Sequence, residues 1–370
     1  MKIGIDASRA SKQNKTGVEW YAFNIINEII KIGHNDAQFI LYSDDLTPAL
    51  PLVKGGGNSK IKILRWPFKF LWTQGRLSLE MLFNKVDKLF IPASAMPIIH
   101  PKNTITAIHD VGFMKYPEAY GKWQLKYLKW STKFAIKHAK KIITISEFSR
   151  NEIIKYFNAD HSKIFVTHLA CDTEKFKVID DKSKIQNVLT KYKIDTPYIL
   201  FVGRLEKKKN IENIIKAFAA ATFPTDVPRK LVLAGNKGYG WEDVEKLIKE
   251  KNLQNDIILT DYVPDEDLPY LYNGAELFLF PSLYEGFGMP ILEAMACGIP
   301  VITSNTTSCP EVGGEAAVYV DPKNYQDIAE KITKVLNNSE LRSMLRSKGL
   351  ERVKNFSWEK CGKETLKILL

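Results

Sequence analysis

The chain has 370 residues, 45% hydrophobic and 26% charged, which is too long for one ordinary core and too apolar for disorder, so two soluble globular domains are expected. No apolar run is long enough to span a bilayer, and the opening MKIGIDASR reads as a core strand rather than a signal peptide. Cys171, Cys297, Cys309 and Cys361 are scattered without metal or disulfide spacing, which fits a reducing cytoplasm. The net charge of +11 is concentrated in residues 1–175, which hold 26 Lys and Arg against 15 Asp and Glu, whereas the remainder holds 27 of each. Only the first half is therefore expected to favour an anionic partner.

Strands alternate with helices along the first half. Lys2–Asp6 predicts a strand, a polar loop carrying Thr16-Gly17 follows, and a helix runs from about Val18 to Ile32. Further strands are predicted at Gln38–Ser43, Lys60–Arg65, Lys88–Pro92, Thr104–His109, Lys141–Ser146 and Lys163–Thr167. Gly55-Gly56-Gly57 reads as a loop tip, since no strand immediately precedes it and no clear helix follows. The polar stretch from about Thr173 to Pro197 reads as a connector. The second half repeats the pattern, with strands at Tyr198–Gly203, Lys230–Ala234, Asp256–Leu259, Leu277–Pro281, Val301–Thr303 and Ala317–Val320. Helices are predicted at Ile211–Ala221, Trp241–Lys251, Leu268–Gly274, Tyr325–Leu336 and Ser339–Lys354, with a tail from Trp358. The pattern predicts two doubly wound, Rossmann-like α/β domains with a cleft between them.

The stretch EGFGMPILEAMACGIP, Glu285 to Pro300, concentrates the chemistry. It predicts a glycine-bearing loop after a buried strand, then a helix opened by Pro290 and closed by Gly298. Glu285 and Glu293 bracket the helix start, with Glu293 read in its first turn, where a carboxylate alone would stabilise the dipole by ~0.3–1 kcal/mol. Carboxylates accept hydrogen bonds from vicinal hydroxyls and free helix N–H groups accept phosphate, so one unit can hold both ends of a sugar nucleotide. Arg204 and Lys209 follow the strand Tyr198–Gly203 at its ligand end, while neighbouring Lys207 and Lys208 are assigned to solvent. His109 ends a parallel strand and is read as pointing towards the cleft; a structural His bonded to a carbonyl is the alternative.

Residues 120–141 form the clearest amphipathic helix. Lys122, Lys126, Lys129, Lys133, Lys137 and Lys140 make one stripe, and Trp123, Tyr127, Trp130 and Phe134 a second beside it. With the run Arg65 to Trp72, this suits an anionic membrane–water interface, at ~1 kcal/mol per lysine; an ordinary solvated face is the alternative. Nucleic acid is not expected, because no recognisable module is present.

The Glu-x7-Glu stretch with Gly-Phe-Gly and Pro, the downstream EAMACGIPVITS, FVGRLEKKKNIENIIKAF at Phe201–Phe218, TAIHDVGFMKYPE at Thr106–Glu118 and TISEFSRNEI at Thr144–Ile153 together resemble the retaining glycosyltransferases of family 4. The resemblance runs from the first strand to about residue 360. It implies a GT-B fold, two Rossmann-like domains facing a central cleft, with boundaries drawn at 1–175, 176–355 and a tail 356–370 that packs back on the first domain. It implies that Glu293 holds ribose hydroxyls, that Glu285 and His109 act at the donor sugar, and that Gly286, Phe287 and Gly288 lie along sugar and phosphates. Arg204 and Lys209 would serve the diphosphate, where charge gathers as the glycosidic bond breaks. Gly17 would let backbone approach the donor phosphate, although only one glycine stands there where many relatives have two. Val263 and Leu268 would lie at the base and Asn236 would border the donor, or they belong to ordinary turns. Lys122, Trp123, Lys126, Trp130 and Lys133 are the expected acceptor or membrane face.

The nearest flavour, from HDVGFMKYPE and VGRLEKKKN, is the mannosyltransferase-like branch of bacterial surface-polysaccharide synthesis. GDP-mannose is then the expected donor and a growing, lipid-linked glycan the acceptor. No metal or cofactor is expected, since Asp265-Glu266-Asp267 reads as a helix start. A UDP-sugar donor and a non-catalytic nucleotide-sugar-binding subunit are the alternatives. An oxidoreductase would need a Gly-x-Gly-x-x-Gly turn that Asp6-Ala7-Ser8-Arg9 does not supply.

Overall fold

The computed structural model describes residues 1–12, 15, 17–44, 59–67, 71–223 and 228–370. Thr16, Gly55-Gly56-Gly57 and Phe68-Lys69-Phe70, named in the sequence analysis, lie outside these residues. In chain order the described strands are β1 Lys2–Asp6, β2 Gln38–Ser43, β3 Ser59–Ile63, β4 Lys88–Ile91, β5 Thr104–Ala107, β6 Lys141–Thr144 and β7 Ile164–Val166, then β8 Tyr198–Val202, β9 Lys230–Ala234, β10 Ile257–Asp261, β11 Leu277–Phe280, β12 Val301–Ser304 and β13 Val318–Val320. The helices are α1 Gly17–Ile32, α2 Ser78–Phe83, α3 Lys122–His138, α4 Glu147–Phe157, α5 Lys182–Lys191, α6 Ile211–Ala220, α7 Trp241–Glu250, α8 Leu268–Gly274, α9 Met289–Ala296, α10 Cys309–Gly313, α11 Tyr325–Leu336, α12 Ser339–Val353 and α13 Trp358–Leu369. They form two compact units, 1–169 with 357–370, and 170–356.

The first unit is a parallel sheet in the order β3-β2-β1-β4-β5-β6-β7. β1 pairs with both β2 and β4, so the winding direction reverses between β1 and β4, and a crevice opens there at the carboxyl end of the sheet. β5 is buried throughout because helices cover both faces, which is why parallel strands read as unbroken apolar runs. α1 buries Tyr21, Ala22, Ile25, Ile26 and Ile29, a stripe at helical spacing. α13 completes this unit from the far end of the sequence. A Cβ on Gly362 would stand 2.6 Å from the Glu28 Cβ of α1, so the two helices approach as only glycine allows. Lys88 donates to the carbonyls of Leu369 and Leu370, and Lys141 to that of Ile368 at 2.7 Å, so two strand-end lysines satisfy the carbonyl end of α13.

The second unit has the order β10-β9-β8-β11-β12-β13, all parallel, and its switch point lies between β8 and β11. β8 and β11 are buried at every residue. A Cβ on Gly235, just past β9, would fall 2.1 Å from the Gly203 carbonyl, so the exits of β8 and β9 meet backbone to backbone.

Several sequence expectations need correction. The segment read as a connector contains α5, which lies in the second unit: the Cβ position of Gly274, the last residue of α8, lies against Ile185 and Leu189. Its apolar residues Ile185, Val188 and Leu189 stand among charged and polar ones, so it resembles a linker in composition. β5 ends at Ala107, which puts His109 on the following loop, where the Asp110 carboxylate accepts from Gly112 N at 2.8 Å and turns the chain. Trp72 is not part of a surface face. It is buried, and its indole donates to Leu64 O at 2.9 Å. The tail from Trp358 is a full helix.

Candidate functional site: two carboxylates and a lysine at the second switch point

The strands on either side of the switch point each deliver one loop. After β8 the chain runs through Arg204 and a 3-10 turn, Lys207–Lys209, to Asn210, whose φ of 66° lets the next residue open α6. After β11 it runs through Glu285 to Gly288, which caps α9 at a φ of +101° that side-chain-bearing residues rarely adopt. The two loops are tied together. The buried Asn210 amide donates to Pro281 O at 2.9 Å and to Pro322 O at 2.6 Å, and Leu283 N donates to Lys208 O at 2.8 Å.

This frame brings Lys209 Nζ to 2.5 Å from Glu285 Oε1, with only 15% and 11% of the two side chains exposed. The ammonium also lies 5.2 Å from the centre of the Phe280 ring. A pair this secluded holds because each charge neutralises the other; removing one partner leaves a buried charge at a cost of ~3–5 kcal/mol. Hydroxyls from the β12 end hold the glycine loop from below. Ser308 Oγ lies 3.0 Å from Glu285 O and 2.8 Å from Phe287 O, and Thr303 Oγ1 donates to Phe280 O at 2.9 Å. Gly286, Phe287 and Gly288 are all buried.

Glu293 is the fifth residue of α9, not part of its first turn, which removes the helix-dipole explanation for it. Its carboxylate accepts from the Tyr272 hydroxyl at 2.8 Å. Burial pushes its pKa up to about 7; the Tyr272 bond and the Lys175 charge pull the other way and do not cancel it. The buried Cys171 and Cys297 thiols are raised, chiefly by burial and further by the Glu293 charge, and are held as unreactive thiols. Leu268 and Tyr272 share one face of α8 a turn apart, so the helix that carries Leu268 also carries the partner of Glu293.

Other predicted residues stand apart from this cluster. Arg204 is 66% exposed, lies 3.9 Å from Glu206 and runs over Gly238, and does not join the Lys209–Glu285 pair. Asn236 is exposed after β9, and its carbonyl accepts from Leu205 N at 2.9 Å. Val263 is buried beyond β10, two strands from β8.

Gly17 and His109 belong to the first unit. Gly17 is exposed at the start of α1, and a Cβ there would meet nothing within 4 Å. One turn on, Tyr21 meets the His109 ring edge to face at 4.5 Å between centroids. Burial lowers the His109 pKa to about 4 against the pull of Asp110 and Glu19, so the imidazole is neutral at neutral pH. Its Nε2 is buried without a hydrogen-bond partner among the described residues.

Sequence reasoning missed Asn210, Tyr272 and Ser308. Asn210 directly follows Lys209 and could have been noticed as a residue tolerant of the left-handed region. Tyr272 and Ser308 sit in unremarkable apolar and polar contexts and become legible only through their partners.

On the described residues, no cluster of His, Cys, Asp or Glu is arranged to hold a metal, and no helix is long and apolar enough to cross a membrane.

Comparison with known proteins gives the same picture from outside the geometry. The family model described as Glycosyltransferase Family 4 matches residues 16–175, and that described as Glycosyl transferases group 1 matches residues 181–352. The O-antigen chain mannosyltransferase B of Escherichia coli is 38% identical over 268 residues, 72% of this chain and 69% of that protein. The capsular polysaccharide biosynthesis glycosyltransferase CapM of Staphylococcus aureus is 31% identical, over 75% of each chain. A serotype-specific mannosyltransferase, WbdA of Escherichia coli, is 30% identical over 70% of this chain, which spans about a third (32%) of that longer protein. Among solved structures, the sucrose-phosphate synthase of Thermosynechococcus elongatus superposes with a TM-score of 0.75 at 19% identity, covering 99% of this chain and 97% of its own. HepE of Anabaena, solved with UDP-glucose, superposes with a TM-score of 0.75 at 16% identity, covering 99% and 98%. The fold is GT-B, and the chain belongs to the glycosyltransferases of family 4.

Proposed function

We propose that this glycosyltransferase is metal-independent and retaining, and moves mannose from GDP-mannose to a growing surface polysaccharide. The observation that carries the reading is the secluded Lys209–Glu285 pair, set at the switch point beside the glycine loop that opens α9. An ammonium has three donors, and Glu285 occupies one; the others are suited to the oxygens of a diphosphate leaving group. Such a cation acts most on the charge that develops as the glycosidic bond breaks, so it lowers the barrier rather than merely tightening binding. Glu285, fixed by Lys209, suits a hydroxyl of the donor sugar, and Glu293 suits ribose hydroxyls. Arg204, which is exposed, would reach the diphosphate, with Val263 and Leu268 at the base and Asn236 bordering the donor. The family resemblance assigns Gly17 to the donor phosphate and His109 to the donor sugar. A neutral imidazole serves there as a hydrogen-bonding contact, and the acceptor proton would pass to the departing phosphate.

The mannose assignment is supported by the mannosyltransferase names of relatives at 38% and 30% identity. A UDP-sugar donor is the second reading, supported by the UDP-glucose complex of HepE, and it keeps every role but that of the base. The lysine stripe of α3, with Lys122, Lys126 and Lys133, and Trp130 beside it, is proposed to rest on an anionic lipid surface that carries the acceptor. Thermal unfolding with sugar nucleotides in the presence of a chelator tests the central claim. GDP-mannose at about 100 times its Kd should raise Tm by roughly 3–8 °C, and NMR of the product should show the donor's anomeric configuration kept. A shift with UDP-hexoses alone would transfer the reading to that donor class, and no shift with any sugar nucleotide would remove it.

A further inference from the structure

The inner edge of the His109 ring is held by no hydrogen bond: its Nε2 is enclosed without a partner among the described residues. The backbone beneath it is better tied. Thr144 Oγ1, at the end of β6, lies 3.4 Å from the His109 carbonyl, and Asp110 accepts from Gly112 N at 2.8 Å. Such bonds fix the loop but leave the imidazole to turn about its outer torsion, which in histidine has broad minima. What meets the ring is Tyr21 of α1, at 4.5 Å between centroids and 77° between planes. Edge-to-face contact is a preferred geometry of an aromatic pair, and it favours one ring orientation over the others.

Tyr21 is itself fixed from behind by a segment from the far end of the chain. It is 1% exposed, and Trp358, the first residue of α13, lies against it at 6.5 Å between ring centroids. Ser357 caps that helix, its side chain accepting from Lys360 N at 3.1 Å, which sets where Trp358 stands. The Tyr21 hydroxyl is buried without a hydrogen-bond partner among the described residues, near Thr167 past β7 and near Cys361 and Thr365 of α13. Burial pushes the phenol well above its ordinary range, the Cys361 charge adds to this and the two threonines oppose it, so Tyr21 stays neutral. A buried hydroxyl without a partner costs stability, so the ring is the part of this side chain that its surroundings use. The charged groups facing the imidazole are Asp110 on its own loop and Glu19, which is paired with Arg9 at 3.2 Å. Both carboxylates favour a charged ring, and burial, to which the Tyr21 ring contributes, outweighs them.

We propose that Tyr21 is a positioning residue. Held between Trp358 and His109, its ring keeps the imidazole in the one orientation that meets the donor sugar, so α13 takes part in the site through a row of rings. The proposal rests on the reading of His109 as a donor-sugar contact and adds what holds that contact in place. The test uses the full chain labelled with 15N-histidine, the His109 signals being assigned by their loss in His109→Gln. In the wild type the ring should stay neutral from about pH 5 to about pH 8. In Tyr21→Leu, where water reaches the ring, it should take up a proton within that range. GDP release from GDP-mannose, with water as acceptor, gives kcat and donor KM on the same proteins. Tyr21→Leu should lower kcat about tenfold or more with donor KM within about threefold, while Tyr21→Phe, which keeps the ring, should stay within about threefold in both.

Because Tyr21→Leu changes a core position, Trp358→Leu, at a half-buried site, is measured beside it and should move both readouts the same way. Wild-type imidazole signals in whichever of these two variants fold would overturn the proposal; this readout needs no turnover. So would a Tyr21→Phe protein as impaired as Tyr21→Leu, since the hydroxyl and not the ring would then matter. His109→Gln separates this failure from that of the underlying reading. If His109→Gln keeps full kcat, the role of His109 at the donor falls, and the proposed positioning role falls with it. If it loses kcat while folded Tyr21→Leu keeps it, the positioning proposal falls alone.

Discussion

At the scale of single residues, Glu293 carries the most unusual balance. Its carboxyl is pushed to about 7 because burial outweighs the Tyr272 bond and the Lys175 charge. A carboxyl that prefers its proton when folded and has an ordinary pKa when unfolded loses stability as pH rises through that interval, from about 4.5 to about 7. Glu293→Gln should therefore leave stability unchanged near pH 4 and raise it by about 1–2 kcal/mol at pH 8, read from urea midpoints. The same variant should bind the donor about tenfold more weakly, since an amide cannot hold a ribose diol as a carboxylate does. A variant equally stable at both pH values would show that the carboxylate is not strained in the unliganded protein. His109 has the opposite sign. Its lowered pKa keeps the ring neutral above about pH 5, so the stability it contributes is present at neutral pH and lost as pH falls from about 6.5 towards 4.

At the scale of elements, the decisive structures are strand exits. The exits of β8 and β9 approach backbone to backbone at Gly203 and Gly235, and Gly235 holds a φ of +143°. Gly235→Ala should lower stability by about 2–4 kcal/mol, because the added carbon must displace a carbonyl and not a movable side chain. Gly17 is the contrast. A Cβ at the start of α1 meets open space, so Gly17→Ala should change stability by less than ~0.5 kcal/mol. Any fall in donor affinity in that variant then reports on ligand approach rather than folding, and unchanged affinity would remove Gly17 from the phosphate. The loop after β11 is held by hydroxyls of the next strand and helix, so its position is a property of β12 and α10 as much as of its own glycines.

At the scale of the whole molecule, charge and connectivity matter most. The +11 excess lies entirely in the first 175 residues, and five lysines of α3 are exposed. At ~1 kcal/mol per lysine near an anionic leaflet, the proposed lipid contact would be reversible. The full chain should sediment with anionic vesicles at low salt and be released at high salt, and reversing Lys129 and Lys133 to Glu should cut binding about tenfold or more. Equal binding to neutral vesicles would sink the electrostatic account. The return of α13 to the first unit means that deleting residues 357–370 should unfold or expose α1, since Trp358 packs on Tyr21 and Gly362 lies against Glu28 and Ile32.

The alternation of apolar runs and helical stripes was enough to read both parallel sheets from the sequence, because strands buried on both faces must be apolar throughout. The motif spacing was enough to single out Glu285, Glu293 and Lys209, since residues at strand exits and helix starts are close in sequence to the elements that position them. What the sequence could not show were the distant partnerships. Asn210 holds Pro281 and Pro322, Tyr272 holds Glu293, and α5 sets Ile185 and Leu189 of a charged segment against α8. The local pattern alone determined most of the strands and helices, because backbone geometry fixes periodicity within a few residues, but it missed α5 and misplaced His109 and Glu293 relative to the ends of their elements. Only the tertiary structure decided which residues meet, how far Glu293 is desolvated and that Tyr21 stands against His109, because burial and pairing depend on chain segments far apart in sequence.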